Sequence, residues 1–600
     1  MTFTRYELTI PVELTSELHI GGVDPVPDRD GEGTVIRFNR NGLKEPTIPG
    51  RSIRGAVRAA CNVLWEERKL KDDPLAAGNG IFSDSNWESL WGDNLAHHEG
   101  NSPDDVLPVR RSALTFHAVS FPADQPMTTR HGVGIDRTTG AASDGALYEH
   151  EFLPRGTRFT IRITAEGRDD EQKDDTERKD NKQSEGIPGP ASSESVKKLL
   201  EVMVDVLTSG AVCLGGRTGS GQGTIQVIEP KLRRTGKTTD AGALTAPADV
   251  LDALIGEDEE GTPIPLERGG WSLEEPARIK ITWWSPTGIF VAEDEKLTKQ
   301  RKAQKEAENR KKGIDEEVHE VVYPLRDPSE EWENAQLLIP GTSIRGALRS
   351  RASRIARTVL AARDELSTFT SHDLHEQIAA EPNLVRYMFG STEYRGAVTV
   401  HDCLSTDPGK CIEVTHNAID RWTGGVIDGG LFTEAVYLGT HWEPITIDID
   451  LRQLLNNIKA EKGPEDREQS KPTHADYAHA AYVLLGLVLA ELSAGTLPLG
   501  SRSTRGLGQV VVSSINVRGC TRDNVVIPAK TLSGDQVLEH PGTAATSPTQ
   551  DRYDAQRELA GEVLKYLRKQ IKGAPQWSDR LDEDLENDGT ESTGKEEPNE

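Results

Sequence analysis

The chain has 600 residues, more than one hydrophobic core usually serves, so at least two domains are expected. Its formal charge of −27 argues against a chain coated in cations, yet ten acids against two bases between Gly573 and Glu600 supply much of the excess, and the motifs described below are locally basic. Five cysteines without a CxxC pair argue against a structural zinc and a disulfide framework, and the expectation is a cytoplasmic protein with no membrane-crossing run, whose first residues read as a strand rather than an export signal.

In chain order, YELTIPVEL alternates like a strand, and an acid-bearing loop follows, HIGGVDPVPDRDGEGTVIR. After the IPG turn, Ile53, Val57, Ala60 and Leu64 share one helical face. GIDRTTGAASDGALYEHEFLPRGTRFTI then suggests strands, and a polar insertion at about 166–192 precedes a second helix, SVKKLLEVMVDVL. That helix runs into the glycine-rich turn LGGRTGSGQG and a closing strand. The whole series then repeats. IPGRSIRGAVRAA returns as IPGTSIRGALRSR, GIDRTTG as AIDRWTG and LGGRTGSGQG as LGSRSTRGLG, at separations of 291, 284 and 285 residues. A domain duplication is the direct reading.

Each copy has the order strand, helix, strands, helix, glycine turn, strand. This predicts an α+β fold of two tandem ferredoxin-like, RNA-recognition-like units carrying insertions. The expected boundaries are 1–232 for the first unit, a linker at 233–275, and 276–518 for the second unit with a charged insertion at about 293–320. A C-terminal extension with a helix at 519–572 and a disordered acidic tail at 573–600 follow. Within the second insertion, KLTKQRKAQKEAENRKK reads as a loop or as a solvated helix.

The SIRG element places Arg51, Ser52, Arg54 and Arg58, and in the second copy Ser343, Arg345 and Arg349, in the first turns of a helix. Cations are disfavoured at that positive end unless an anion sits there, so a bound phosphate is one reading and solvated arginines beside a serine cap are the other. The glycine turns follow a helix and precede a strand, the reverse of a dinucleotide fingerprint, and no GK[ST] is present, so no nucleotide cofactor is expected. Gly216, Arg217 and Gly221, with Arg502, Arg505 and Gly506, are instead candidates for contact with an RNA backbone, a merely tight turn being the alternative.

The IPGxSIRGAxR element, the IDRxTG…LYEHEF…GTRF segment and the closing glycine turn resemble the RAMP superfamily, in particular backbone subunits of type III CRISPR effector complexes, and the fused pair is similar to the III-D-like branch. The resemblance implies partners: a guide RNA, a complementary target RNA and other CRISPR effector subunits. It implies a thumb hairpin at each IDRxTG segment, with Asp136, Arg137, Asp420 and Arg421 near its base, either as structural Asp–Arg pairs or touching RNA. It also implies endoribonuclease cleavage of target RNA by an acid on the loop after the first strand, assisted by a divalent cation, Mg or Mn, whose ligands the sequence does not name. Asp30 is the first choice there, with Asp28 and Glu32 next and Asp24 also in the loop. In the second copy Asp315, Glu317, His319 and Glu320 are weaker substitutes, so that copy is expected to bind RNA without efficient cleavage.

Two other readings fit the same residues. One is a scaffold of the same complex without catalysis. The other is a guide-processing endonuclease using His19, His117 or His131, none of which has a partner visible in the sequence.

Overall fold

A computed structural model describes residues 2–22, 26–27, 34–70, 87, 90–92, 112–169, 191–238, 262–267, 269, 271, 273–314, 318–332, 334–362, 372–462, 472–534 and 549–570. In the first copy, β1 (Thr2–Leu14), β2 (Thr34–Ile36), α1 (Gly50–Leu70), β3 (Leu114–Phe116), β4 (Thr128–Ile135), β5 (Ala142–Phe152), β6 (Arg158–Asp169), α2 (Ser193–Thr208), β7 (Ile225–Val227), β8 (Lys231–Thr238) and β9 (Thr262–Ile264) succeed one another. Strand β1 is central: it pairs antiparallel with β6 over Thr2 to Glu13, and with β7 and β8 on its other side. Strand β3 completes the sheet beyond β6. The main strands therefore lie in the order fourth, first, third, second, which is the ferredoxin-like arrangement. Alternation along β1 sends Leu8, Ile10, Val12 and Leu14 inward, where α1 and α2 supply Ile53, Val57, Cys61, Leu199 and Met203.

The second copy repeats the plan with β10 (Ala277–Ser285), α3 (Glu295–Lys312), β11 (Val321–Val322), α4 (Gly341–Ala361), α5 (Leu374–Ala379), α6 (Asn383–Phe389), β12 (Val398–Val400), β13 (Lys410–Ile419), β14 (Val426–Leu438), β15 (Ile445–Ile449), α7 (Leu451–Lys462), α8 (His474–Ser493), β16 (Val511–Arg518), β17 (Lys530–Ser533) and α9 (Thr549–Gln570). Strand β10 lies between β15 and β16, and β12 lies beyond β15. The register repeats as well: Phe116 faces Ile163 and Val400 faces Ile447, each pair displaced by the 284 residues that separate the hairpins. The second and third main strands of the two sheets thus share one register.

Three sequence expectations change. The linker at 233–275 begins as structure: Lys231–Thr238 pairs with β1, Thr262–Ile264 pairs with it in turn, and Trp271 is buried in the first core. The extension after 518 is part of the second core, because β17 extends the sheet and Leu559, Val563, Tyr566 and Leu567 of α9 pack into it. No membrane-crossing run was expected, yet α8 is long and apolar enough for one; it is mostly buried, a core helix among α4, α7 and α9. All five cysteines are free thiols. The acidic tail lies outside the described residues.

Candidate nucleic-acid interface

Each SIRG helix starts at the glycine of IPG, Gly50 or Gly341, so Ser52 and Ser343 are the third helical residues and not caps. Arg54 donates to the carbonyl of Trp91. Arg345, its repeat, donates to the carbonyls of Phe389, at 2.6 Å, and Val398. Trp91-Gly92 and Phe389-Gly390 are themselves a repeat, with both glycines at positive φ of 79° and 83°. Arg54 and Arg345 therefore close the fold onto this second loop. Arg349 turns inward onto Glu381 at 2.6 Å and the Gly390 carbonyl at 2.9 Å, and Arg58 lies over the Trp91 ring. For Arg54, Arg345 and Arg349 the observed ligands are protein oxygens, as an alternative to phosphate. Arg51 alone in this group is exposed.

The helix start differs between copies in what faces it. In the second copy the Gly341 N–H donates to Asp402 Oδ1 at 2.7 Å, so a carboxylate already occupies the positive end. By the sheet register the first copy has Ala118 at that position. A neighbouring pair shows the same drift: His117 Nε2 meets Thr164 Oγ1 at 3.1 Å, whereas His401 Nε2 meets Asp448 at 2.8 Å.

The glycine turns follow this pattern. Arg217 and Arg502 both hold left-handed backbone, φ 59° and 63°, a conformation rare for arginine. Both aim at the hairpin strand behind them. Arg217 lies over Tyr148, 4.9 Å from the ring centre, with its guanidinium against His150. Burial, then Arg217 and His19, push the His150 imidazole down to about 3, so it is neutral and leaves the arginine its charge. At the equivalent position Arg502 pairs with Glu434, at 2.6 and 2.8 Å, and Arg505 lies 3.9 Å from the same carboxylate. Gly216 is exposed beside Arg217 and donates to the His19 carbonyl. Gly506 is exposed with open space around it, whereas a side chain at Gly221 would meet His401 of the second copy at 2.9 Å.

That last contact belongs to a head-to-tail seat. The glycine turn of copy one sits on the start of α4 and on β12. The β4–β5 hairpin of copy one also reaches the second copy. Asp136 and Arg137 are at its tip and not its base, because Asp136 and Gly140 close the turn. Asp136 accepts from Thr138, from Gln377 at 2.8 Å and from His372, bonds that hold its carboxyl well below the usual range. Arg137 pairs with Glu381, which Arg349 also holds. Lower down, buried Arg130 bridges Glu17 at 2.5 Å and Asp402 at 2.9 Å. Burial and the nearby Asp402 outweigh Arg130 and push the Glu17 carboxyl up to about 7.

The matching hairpin of copy two has no such seat among the described residues. Asp420 caps its own turn, Arg421 is exposed, and Trp422 is 96% exposed where copy one has Thr138. Comparing the two repeats could have singled out Trp422, since a tryptophan at a hairpin tip is a stacking surface.

Asp24, Asp28, Asp30 and Glu32 lie outside the described residues, as do Asp315 and Glu317. The strand after this loop is described, and it fixes the alignment. Val35 faces Glu149 and Val321 faces Thr433. Glu320 is therefore the counterpart of Thr34, and Glu32 aligns with buried Val318. His319 is exposed. Among the described residues no group of three or more His, Cys, Asp or Glu could hold a metal ion.

The three candidate histidines have partners. His19 is buried, bonded to the Glu151 carbonyl and packed edge-on to His150, and burial lowers its pKa. His117 belongs to the structural pair above. His131 meets Asp294 at 3.1 Å and Glu149 at 3.3 Å, and the hydrogen bond to Asp294 raises its pKa.

Comparison with known proteins gives one family. No curated protein matches the chain. The RAMP superfamily model matches residues 12–226 and 336–511, well over half of the sequence and one segment in each ferredoxin-like unit. The chain belongs to the RAMP superfamily, as a tandem of two of its domains.

Proposed function

We propose that the chain is a guide-RNA-binding backbone subunit of a type III, III-D-like CRISPR ribonucleoprotein in the cytoplasm, assembled with other effector subunits and pairing its guide with target RNA. RAMP superfamily proteins are generally CRISPR-associated RNA-binding subunits, which supports the coarser part. The observation that carries the backbone reading is the head-to-tail seat: hairpin tip and glycine turn of copy one both lie on copy two. The same two elements of copy two are exposed. A heterologous contact of this kind continues in one direction, which suits a subunit laid along a strand. Phosphate contact falls to Arg51 and Arg217 in copy one. In copy two it falls to Arg421 and Arg505, with Trp422 as a stacking face.

The reading extends to cleavage of target RNA by the loop of copy one, with Asp30 as first choice and Asp28 and Glu32 beside it, aided by Mg or Mn. A divalent cation bound there would polarise the scissile phosphate. By the same register Val318 stands where copy one has Glu32, and Glu316 stands where it has Asp30, so a single cleaving copy follows if Glu32 is the acid and not if Asp30 is. With guide and target RNA in Mg, Asp30→Ala is expected to abolish one cut while both RNAs stay bound, because a loop carboxylate neither fills a core nor neutralises phosphate. Parallel Asp28→Ala and Glu32→Ala variants locate the acid. Parent-like cutting by all three, or no cutting by the parent complex, would leave a scaffold without catalysis.

A further inference from the structure

Helix α3, Glu295–Lys312, is inserted into copy two between β10 and β11, outside both family segments. Eight of its 18 residues are Lys or Arg and three are Glu, a surplus of cations in a chain whose formal charge is −27. Four of these cations, Lys296, Lys299, Arg301 and Lys312, are paired with carboxylates of the protein. Thr298 is the one buried residue of the helix, and Arg301, held by Glu293 and stacked 4.6 Å from Trp332, is its main anchor. Lys305, Arg310 and Lys311 are exposed and Lys302 half-buried. A helix that is polar all round owes its stability to ion pairs along it, such as Lys299 with Glu295, and not to a core.

The helix starts on the hairpin of copy one. Lys296 lies 3.4 Å from Glu149, and the capping Asp294 meets His131. Glu149 lies on the opposite face of β5 from Tyr148 and His150, so α3 and Arg217 flank the hairpin from its two sides. The insertion also occupies the loop that carries the acids in copy one. Cations distributed around a helix, with Leu297 the only exposed large apolar side chain on it, are poorly suited to a protein groove, where lysine is depleted and apolar anchors dominate. They suit a polyanion.

We infer that α3 is a phosphate clamp for RNA lying across the β4–β5 hairpin, an addition to this chain beyond its family domains. The inference rests on the RNA-binding reading above. In the test, the full chain and the variant Lys302→Gln/Lys305→Gln/Arg310→Gln/Lys311→Gln are titrated with a labelled single-stranded guide RNA and with the same RNA annealed to its complement, between about 50 and 200 mM salt. Circular dichroism checks that the helix content is kept. The variant is expected to bind about tenfold or more weakly at the low-salt end, with a logarithmic salt slope smaller by about 2 to 3, since each single-strand contact contributes about 0.7. Loss on the single strand assigns the clamp to the guide; loss confined to the duplex assigns it to the target strand. Parent-like affinity and slope on both RNAs would overturn the clamp while leaving the RNA-binding reading intact. A parent that binds neither RNA would overturn both.

Discussion

The two copies share a fold and differ in who answers their cations. At three register-equivalent positions copy one has Ala118, His150 and Thr164 where copy two has Asp402, Glu434 and Asp448. Each of those carboxylates already holds a donor: the Gly341 N–H, Arg502, and Arg278 with His401. Copy two meets these donors with carboxylates, whereas copy one has uncharged residues at the same positions. The hairpins trade in the other direction. Copy one commits its tip to copy two, while copy two leaves Arg421 and Trp422 exposed. Duplication followed by a few charge changes has split one surface into a face that docks and a face that stays open.

The largest effect is expected at the seat between the copies. Glu381, 1% exposed, stands between Arg137 of copy one and Arg349 of copy two. Glu381→Gln leaves two largely buried guanidiniums without their carboxylate, at a cost of about 3 to 5 kcal/mol. The midpoint of urea unfolding should fall accordingly, and amide exchange should rise first at 372–381 and at the hairpin tip. A midpoint within experimental scatter of the parent would show that the tip does not hold the copies together.

A smaller effect sharpens the charge ledger below the tip. The Glu17 carboxyl titrates near 7 in the folded chain against 4.5 for its ordinary value. Folding therefore takes up a proton in between: the part of the stability that Glu17 contributes is fully present below about 4.5 and is lost as pH rises through about 7. Glu17→Gln removes that loss. At about 1.4 kcal/mol per pH unit, the variant should gain on the order of 3 kcal/mol relative to the parent between acid and alkaline conditions. Thermal midpoints measured across that range check it. A variant that loses ground as pH rises would mean that Arg130 keeps Glu17 ionised throughout.

Sequence made the duplication and the ferredoxin order readable because apolar period and turn chemistry are local. The roles of the arginines were not local. Arg54 and Arg345 looked alike as phosphate ligands, yet each partner is a carbonyl far along the chain, at Trp91 and Phe389. The repeated aromatic-glycine pair was the available clue. The tip position of Asp136 follows from the β4–β5 register, and its contact with Gln377 crosses between domains, which no periodicity encodes. The contrast of His150 with Glu434 was visible in the aligned repeats. Its meaning needed the arginines placed against them.

Arg217 rests on the uncharged rings of Tyr148 and His150 and is proposed to meet RNA, whereas Arg502 is paired with Glu434. The most direct measurement is the salt dependence of guide-RNA binding for Arg217→Ala and Arg502→Ala in the full chain. Arg217→Ala should weaken binding and lower the logarithmic slope by about 0.7, one single-strand phosphate contact, and His150→Glu should reproduce the change by giving Arg217 the partner that copy two has. Arg502→Ala should leave the slope unchanged. Equal slopes for Arg217→Ala and the parent, or a slope lowered by Arg502→Ala alone, would contradict the claim.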